Sequence, residues 1–303
     1  MSDLIELLET SYFQVGLRFG LLALGVGWLL VWLTRRRGVL PVAGLLIAGS
    51  TLATLAVLDD PIGTEAISVL VIVLGIVLAR VLRAADLMIP LGALPGSVWL
   101  AFNTDVTELF WVRLAIAVLI PIGGYLTGDF EKRYAGMGLG VIFFALASLG
   151  VFVAVPDTEW SRTLIAVALP VTFLAWPKAV ATLGVEGSYA SIAVFVVVTA
   201  QGGGARPASI VGGLACLGLL LMEPLTMAFR PEVVRIIGWI KRNWAGAVLA
   251  SLPQFAVVAL CSRVAARFTN ELPALIVVAA VYGATIAVGI SAASSEGAER
   301  RSN

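Results

Sequence analysis

The amino-acid sequence predicts an all-helical, polytopic integral membrane protein. Of its 303 residues, 60% are apolar and only 13% are charged, and the mean hydropathy is +1.00. Soluble domains are about half apolar and about a quarter charged. This composition excludes a water-soluble globular protein, a disordered chain and a coiled coil. The loops between the apolar runs are short. We therefore expect one transmembrane domain over residues 1–303, with no inserted soluble domain.

Eleven apolar runs approach the ~20 residues that a spanning helix requires. Most of these runs end at a short polar segment, such as Arg35-Arg36-Arg37 after the first run and Asp59-Asp60-Pro61 after the second. The predicted spans are 12–34, 39–58, 64–82, 87–102, 109–127, 136–155, 162–177, 187–201, 207–228, 244–262 and 272–292. Three runs have only 15 or 16 residues, and two of these, 162–177 and 187–201, form either two spans or one re-entrant pair. The prediction is thus nine to eleven spans.

The distribution of basic residues predicts an outside N-terminus and a cytoplasmic C-terminal tail over residues 293–303. Cytoplasmic loops of membrane proteins are enriched in Lys and Arg. With the spans alternating from an outside N-terminus, 14 of the 20 basic residues fall in inner loops and four in outer loops. The leader carries Asp3, Glu6 and Glu9 and no basic residue. It therefore lacks the basic start of a signal peptide, and we expect the first span to be retained.

Residues 231–244 predict an amphipathic helix lying in the inner leaflet. Val233, Ile236, Ile237, Ile240 and Trp244 share one helical face, and the charged residues fall on the others. Such a basic amphipathic helix is typical of interfacial segments. The alternative is a solvated linker whose arginines reach the headgroups.

Short sequence matches suggest an inverted repeat between the first four and the last four spans. Gly38-Val39-Leu40-Pro41 and Gly92-Ala93-Leu94-Pro95 open inside-to-outside spans, while Arg206-Pro207-Ala208 and Leu272-Pro273-Ala274 open outside-to-inside spans. Inverted repeats are common in transporters. The alternative is chance, because a chain rich in Leu, Ala, Gly and Pro produces such matches.

Residue counts argue against an enzyme, a metal centre, a cofactor and a nucleic-acid partner. The chain has no histidine, so the usual zinc sites, haem ligation by His and Ser-His-Asp chemistry are excluded. Its two cysteines, Cys216 and Cys261, lie in apolar runs. The pair Asp129 and Glu131 matches no catalytic motif, and a net charge of +1 does not favour nucleic acid.

Glu223 is the leading candidate for ion or proton coupling, since an ionisable group inside a bilayer costs about 2.5–3.5 kcal/mol. Pro224 follows it and would bend the helix. Lys178 is either its partner or a positive-inside anchor. Gln254 lies in a polar, proline-containing span. Asp105 and Glu108 have the spacing of one helical face at the acidic outer surface. For each of these residues the alternative is a structural or interfacial role.

A glycine-rich outer loop is the candidate anion site. It runs from Gln201 through Gly203 to Arg206, and successive backbone amides beside an arginine can cradle an anion. A flexible hinge is the alternative. Arg18 and Arg113, near the outer ends of their spans, are headgroup or substrate candidates, and snorkelling to the interface is the competing explanation.

The predicted function is a transporter-like protein, either a secondary carrier or a permease for lipid-linked intermediates. Many short-looped helices broken by Pro and Gly favour it. The alternative is a non-catalytic membrane subunit of an envelope, capsule-polymer or other multi-protein assembly. An excess of Arg over Lys, 17 to 3, is typical of GC-rich bacteria, so we expect a bacterial cytoplasmic membrane. The expected partners are the lipid bilayer and other membrane subunits or further copies of the chain. Sequence alone does not name the small-molecule or lipid-linked substrate.

Overall fold

Regular structure in the described part of the chain is helical, as predicted. The computed structural model describes residues 9–34, 39–58, 63–85, 88–103, 110–133, 136, 139, 159–175, 179–202, 276 and 280. Within them lie α1 (Ser11–Leu33), α2 (Ala43–Leu58), α3 (Thr64–Val81), α4 (Ile89–Asn103), α5 (Phe110–Arg133), α6 (Glu159–Val171, continued by the 3-10 turn Thr172–Leu174) and α7 (Val185–Gly202). The segment 231–244 and the tail 293–303 lie outside the described residues, and so does nearly all of the predicted span 136–155 and of the predicted spans after residue 202.

Three of these helices are long and apolar enough to cross a membrane: α1, α3 and the Arg113–Lys132 stretch of α5. The other apolar helices are shorter. The 16 residues of α2 give a length of about 24 Å, against a hydrocarbon core of about 30 Å.

The outer surface of the described bundle is apolar. On α1, Leu22 is 65% exposed and Trp32 is 59% exposed, while the buried face carries the small residues Gly16, Gly20 and Gly27. A soluble protein rarely leaves a large contiguous apolar surface open to water. The arrangement is that expected of a membrane protein whose exposed side chains face lipid.

Three predicted boundaries are corrected. The helix expected to end at residue 127 continues to Arg133, so Asp129 and Glu131 lie on its last turns and not in a loop. The span expected from residue 39 becomes helical only at Ala43, since residues 39–42 make a turn held by another segment. The run expected to reach residue 177 leaves the α-helix at Val171, one residue after Pro170.

Small residues set the directions in which the helices pack. Gly16 lies beside Thr163, Gly20 beside Val167, and Gly27 beside Leu174. Helices α1 and α6 therefore run in the same direction. In contrast, Gly123 and Gly128 of α5 lie beside Ile192 and Ser188 of α7, which makes that pair antiparallel. Glycines allow such close helix approach, and this packing substitutes for the hydrophobic effect inside a membrane.

Buried hydroxyl groups on several helices donate to their own backbone. Thr51 Oγ1 lies 2.8 Å from the Ile47 carbonyl oxygen, and Ser68 Oγ lies 2.7 Å from that of Thr64. These bonds satisfy polar atoms without a second helix. Ser97 also bonds to a second helix, because its hydroxyl lies 3.0 Å from the carbonyl oxygen of Leu94 on its own helix and 3.0 Å from that of Ala117 on α5. It thereby ties α5 to α4 two residues beyond Pro95.

Two non-helical connections, residues 39–42 and 179–184, meet side by side and form what we term the linker crossing. An isolated parallel β-bridge joins Leu40 to Ala181. The first N–H groups of α2 are also satisfied here, because Ala43 N donates to Thr182 O at 2.8 Å and Gly44 N donates to Leu183 O at 3.2 Å. Helix starts leave such N–H groups without intrahelical acceptors. The crossing therefore fixes where both α2 and α7 begin.

Candidate functional site

A polar cavity of about 230 Å³ lies between α3, α4, α5 and α7. Its wall combines charged side chains, two tyrosines and a few apolar groups. The lining residues used below are Arg80, Tyr125, Gly128, Asp129, Lys132 and Tyr189, with Ile89 and Val185 supplying apolar wall. The charges come from the C-terminal end of α3 and the last turns of α5. Since α7 runs antiparallel to α5, its N-terminal turns lie at that same end.

An ion pair lies beside this cavity, because its arginine lines the wall. Arg80, in the last turn of α3, bonds to Glu186 in the first turn of α7. Each charge lies at the helix end that its sign prefers, because the helix dipole is positive at the N-terminus and negative at the C-terminus. The Arg80 side chain remains 49% exposed, whereas that of Glu186 is only 13% exposed. The arginine therefore keeps open access to the cavity mouth.

Tyr189 is the deepest polar group in the cavity wall. It is 1% exposed, and its hydroxyl has no hydrogen-bond partner among the residues that the structure describes. The ring occupies space left by Gly124, where a Cβ atom would overlap the ring carbons of Tyr189. A buried hydroxyl without a partner costs about 1–3 kcal/mol. The hydroxyl oxygen itself is buried and is not open to the cavity, so Tyr189 contributes its ring to the wall.

Glu131 holds the neighbouring backbone in place. Its side chain is 4% exposed, and its two oxygens accept N–H bonds from Leu183 at 3.1 Å and from Gly136 at 2.7 Å. A carboxylate that accepts backbone N–H groups forms bonds of about twice the strength of neutral ones. Glu131 thus fastens the linker crossing to the end of α5, and so positions the start of α7 with Val185, Glu186 and Tyr189.

The structure places few of the residues that the sequence singled out. Arg18 lies exposed on α1, away from the cavity. Arg113 on α5 donates to the Phe102 carbonyl at 3.4 Å, a structural contact between α5 and the end of α4. Gln201 lies in the last turn of α7. The remaining candidates lie outside the described residues: Asp105, Glu108, Lys178, Gly203, Arg206, Glu223 and Gln254.

Sequence reasoning missed Tyr189 and Glu131 as site residues. Arg80 and Lys132 counted only as positive-inside charges, and the Gly123-Gly124 pair counted only as packing. The available signal was the spacing of Gly124 and Gly128, which lie one turn apart on α5. Two small residues at that spacing open a groove beside charged residues. Helix α7 fills and lines this groove, and it lies about 60 residues further along the chain. No local sequence pattern indicates that α7 packs against α5.

No known protein family matches the sequence, and a comparison with curated proteins also gives no match. The functional conclusion therefore rests on the cavity and on the helices that build it.

Proposed function

We propose that the chain is a multi-pass membrane carrier, either a secondary carrier or a permease for lipid-linked intermediates. Its solute would enter the cavity between α3, α4, α5 and α7. The cavity itself carries the proposal, because charged side chains and two tyrosines surround open space in a bundle whose outer faces are apolar. Polar side chains around open space can bond to a polar solute, which the apolar outer faces cannot do.

The linker crossing supports the same proposal. The proposed topology puts both linkers at the cytoplasmic end of the bundle, where the cavity lies. Each linker is covered by the other, and the second is held by Glu131. The crossing also lets α2 and α7 begin together at one level, which allows them to move as a pair.

The proposed topology retains an outside N-terminus and a cytoplasmic C-terminus in a bacterial cytoplasmic membrane. Under it, Arg80 and Lys132 face the cytoplasm, so the cavity opens inward. We propose that the short runs at 162–177 and 187–201 are two spans, and the packing of α6 along α1 from the level of Gly16 to that of Gly27 supports this. A re-entrant helix would leave one half of α1 without this neighbour.

Thiol labelling of the cavity tests the proposal even before the solute is identified. In the full chain with Cys216 and Cys261 replaced by Ser, Tyr125→Cys places a thiol in the cavity wall, at a position that is 38% exposed. A membrane-impermeant maleimide should react from the cytoplasmic side of sealed vesicles, and a transported solute should change that rate. Leu22→Cys, on the exposed apolar face of α1, is the matched control and should not react.

Two results would contradict the carrier proposal. One is a Tyr125→Cys thiol that reacts from neither side. The other is a labelling rate that stays constant with phosphate, dicarboxylates, amino acids, sugars and a polyprenyl-phosphate lipid. Either result would favour the alternative, a non-catalytic subunit of an envelope or capsule-polymer assembly. That alternative predicts co-purification of a second membrane protein from native membranes.

A further inference from the structure

We propose that the Arg80–Glu186 ion pair is a releasable gate between two rigid sets of helices that together enclose the cavity. One set is α3, α4 and α5, and the other is α1, α2, α6 and α7. We term the surface where α7 meets α3 and α5 the seam. Opening of the seam is measurable without a solute, whereas its use as a gate for a solute rests on the proposed carrier function.

Close contacts join α3, α4 and α5 into one set. A Cβ atom built on Gly75 of α3 would overlap the carbonyl oxygen of Gly92 on α4, so these two helices touch through their backbones. The buried Ser97 hydroxyl of α4 bonds to the carbonyl oxygen of Ala117 on α5. Backbone atoms cannot rotate out of a contact as a side chain can, and we therefore expect these three helices to move together.

Helix α7 belongs to the other set, because backbone contacts fasten its start to α2. A Cβ atom built on Gly187 of α7 would lie 2.6 Å from Gly44 Cα of α2. The N–H groups of Ala43 and Gly44 donate to carbonyl oxygens of the linker that leads into α7. Helix α2 packs in turn on α1 and α6. A shift of α7 must therefore carry α2 with it.

Side chains, by contrast, fill the seam between the two sets. A Cβ atom built on Gly124 of α5 would meet ring atoms of Tyr189, and one built on Gly128 would meet side-chain atoms of Ser188. Such side chains can repack when one helix slides past another. The cavity lies on the seam, since α3, α4 and α5 supply one part of its wall and Val185 and Tyr189 of α7 supply the other.

Two polar bonds cross the seam at the end of the helices where the cavity lies. The Glu131 carboxylate of α5 is 4% exposed and accepts the Leu183 N–H, which makes it a lasting tie. The Arg80–Glu186 pair differs, because its arginine is 49% exposed. Ion pairs that water reaches are weak, so this pair can break and re-form while the buried tie holds.

Release of the ion pair separates the last turn of α3 from the first turn of α7. Arg80 lines the cavity, so its departure from Glu186 widens the mouth beside it. Under the proposed topology this mouth faces the cytoplasm. The Glu131 bond then marks the point about which the two sets tilt.

Thiol labelling of the seam tests the gate in the full chain, held in nanodiscs, with Cys216 and Cys261 replaced by Ser. Gly128→Cys is the reporter, because a Cβ atom there makes only ordinary contacts, the nearest at 3.7 Å. A buried thiol that opens briefly reacts at a rate proportional to its open fraction, so even a rare open state is measured. Ser97→Cys, buried between α4 and α5 within one set, is the matched control.

The rate of reaction with a polar maleimide is compared in the parent, in Arg80→Glu, in Glu186→Lys and in the chain with both changes. Each single change should speed labelling of Gly128→Cys about five- to tenfold, because an attraction is lost and a repulsion of similar size is gained. The double change restores an ion pair with reversed charges, and should return the rate to within about twofold of the parent. Labelling of Ser97→Cys should stay constant throughout.

The two single changes also separate opening from a direct effect of charge on the thiol. A positive charge nearby favours the reactive thiolate and a negative charge disfavours it. Glu186→Lys alone would thus speed the reaction and Arg80→Glu would slow it if the seam stayed closed. The gate predicts instead that both changes speed it.

Every other pattern overturns the gate. Unchanged rates, or rates that move in opposite directions, show that the ion pair does not hold the seam. Single changes that the double change fails to reverse show the same. An equal rise for Ser97→Cys shows general loosening instead of movement between rigid sets.

The gate and the carrier proposal fail separately. If Tyr125→Cys labelling responds to a solute while the ion-pair variants leave Gly128→Cys unchanged, the carrier proposal survives and the gate fails. If the variants open the seam but Tyr125→Cys never responds to a solute, the movement stands and the carrier proposal fails.

Discussion

The contact between Gly44 and Gly187 at the linker crossing gives the most direct test of the packing. A Cβ atom built on Gly44 would lie 2.5 Å from Gly187 Cα and 2.6 Å from its carbonyl carbon. Carbon atoms in contact normally stay about 3.5–4.0 Å apart. Both neighbours are backbone atoms, which cannot rotate away as a side chain can. Gly44→Ala must therefore push α2 and α7 apart by about 1 Å.

This displacement has a predictable cost. Overpacking of a close-packed interior costs about 1–3 kcal/mol, whereas Ala in place of Gly in an open helix position gains up to about 1 kcal/mol. Gly49, on the same helix, provides that open position, since a Cβ atom there meets nothing within 4 Å. We expect Gly44→Ala to be about 1–4 kcal/mol less stable than Gly49→Ala.

The assay is denaturant titration of both variants in mixed micelles, with tryptophan fluorescence giving the free energy of unfolding. The wild-type chain and Gly49→Ala should have similar midpoints, with Gly49→Ala equal or higher. Gly44→Ala should unfold at lower denaturant concentration. If Gly44→Ala and Gly49→Ala are equally stable, α2 and α7 do not meet at the linker crossing and the account of the fold is wrong.

Three further predictions concern the crossing and the topology. Glu131→Leu should lower the free energy of unfolding by about 1–3 kcal/mol, because the buried Leu183 N–H loses its acceptor; Glu131→Gln should recover part of this loss in the same titration. Gly184→Ala should destabilise the chain as well, since Gly184 has φ of +75° and a Cβ there would overlap the Pro41 carbonyl oxygen; stability equal to wild type would show that the linker adopts another path. Fused at Asn303, a reporter that works only in the cytoplasm should be active, and one that works only outside should be inactive. The opposite result would contradict the proposed orientation.

The sequence predicted the helices well where hydropathy alone decides them. Ends of α1 and α3 fall within one residue of the expected spans, because each is a continuous apolar run closed by charge. The end of α5 was misplaced by six residues, from 127 to 133. Charge there was taken as a sign of a loop. The helix instead runs through Glu131, whose carboxylate accepts an N–H bond from Leu183 in a distant linker, a contact that local sequence does not reveal.

The site was predicted less well than the fold, for a physical reason. Tyr189 and Lys132 become neighbours of one cavity only when α7 packs on α5. That contact depends on glycines in α5 facing Ile192 and Ser188, a match between two surfaces remote in sequence. Hydropathy and charge spacing report burial and membrane side, and neither reports which helices pack together.

An experimental structure of the full chain in lipid nanodiscs, determined by electron cryo-microscopy, tests the central claim most directly. The account predicts an open polar cavity bounded by Arg80, Tyr125, Lys132 and Tyr189, with ordered water or solute density beside the Arg80 and Lys132 side chains. It also predicts lipid against Leu22. A cavity filled by apolar side chains from another part of the chain, with Tyr189 bonded inside a closed core, would contradict the claim that this space receives a solute.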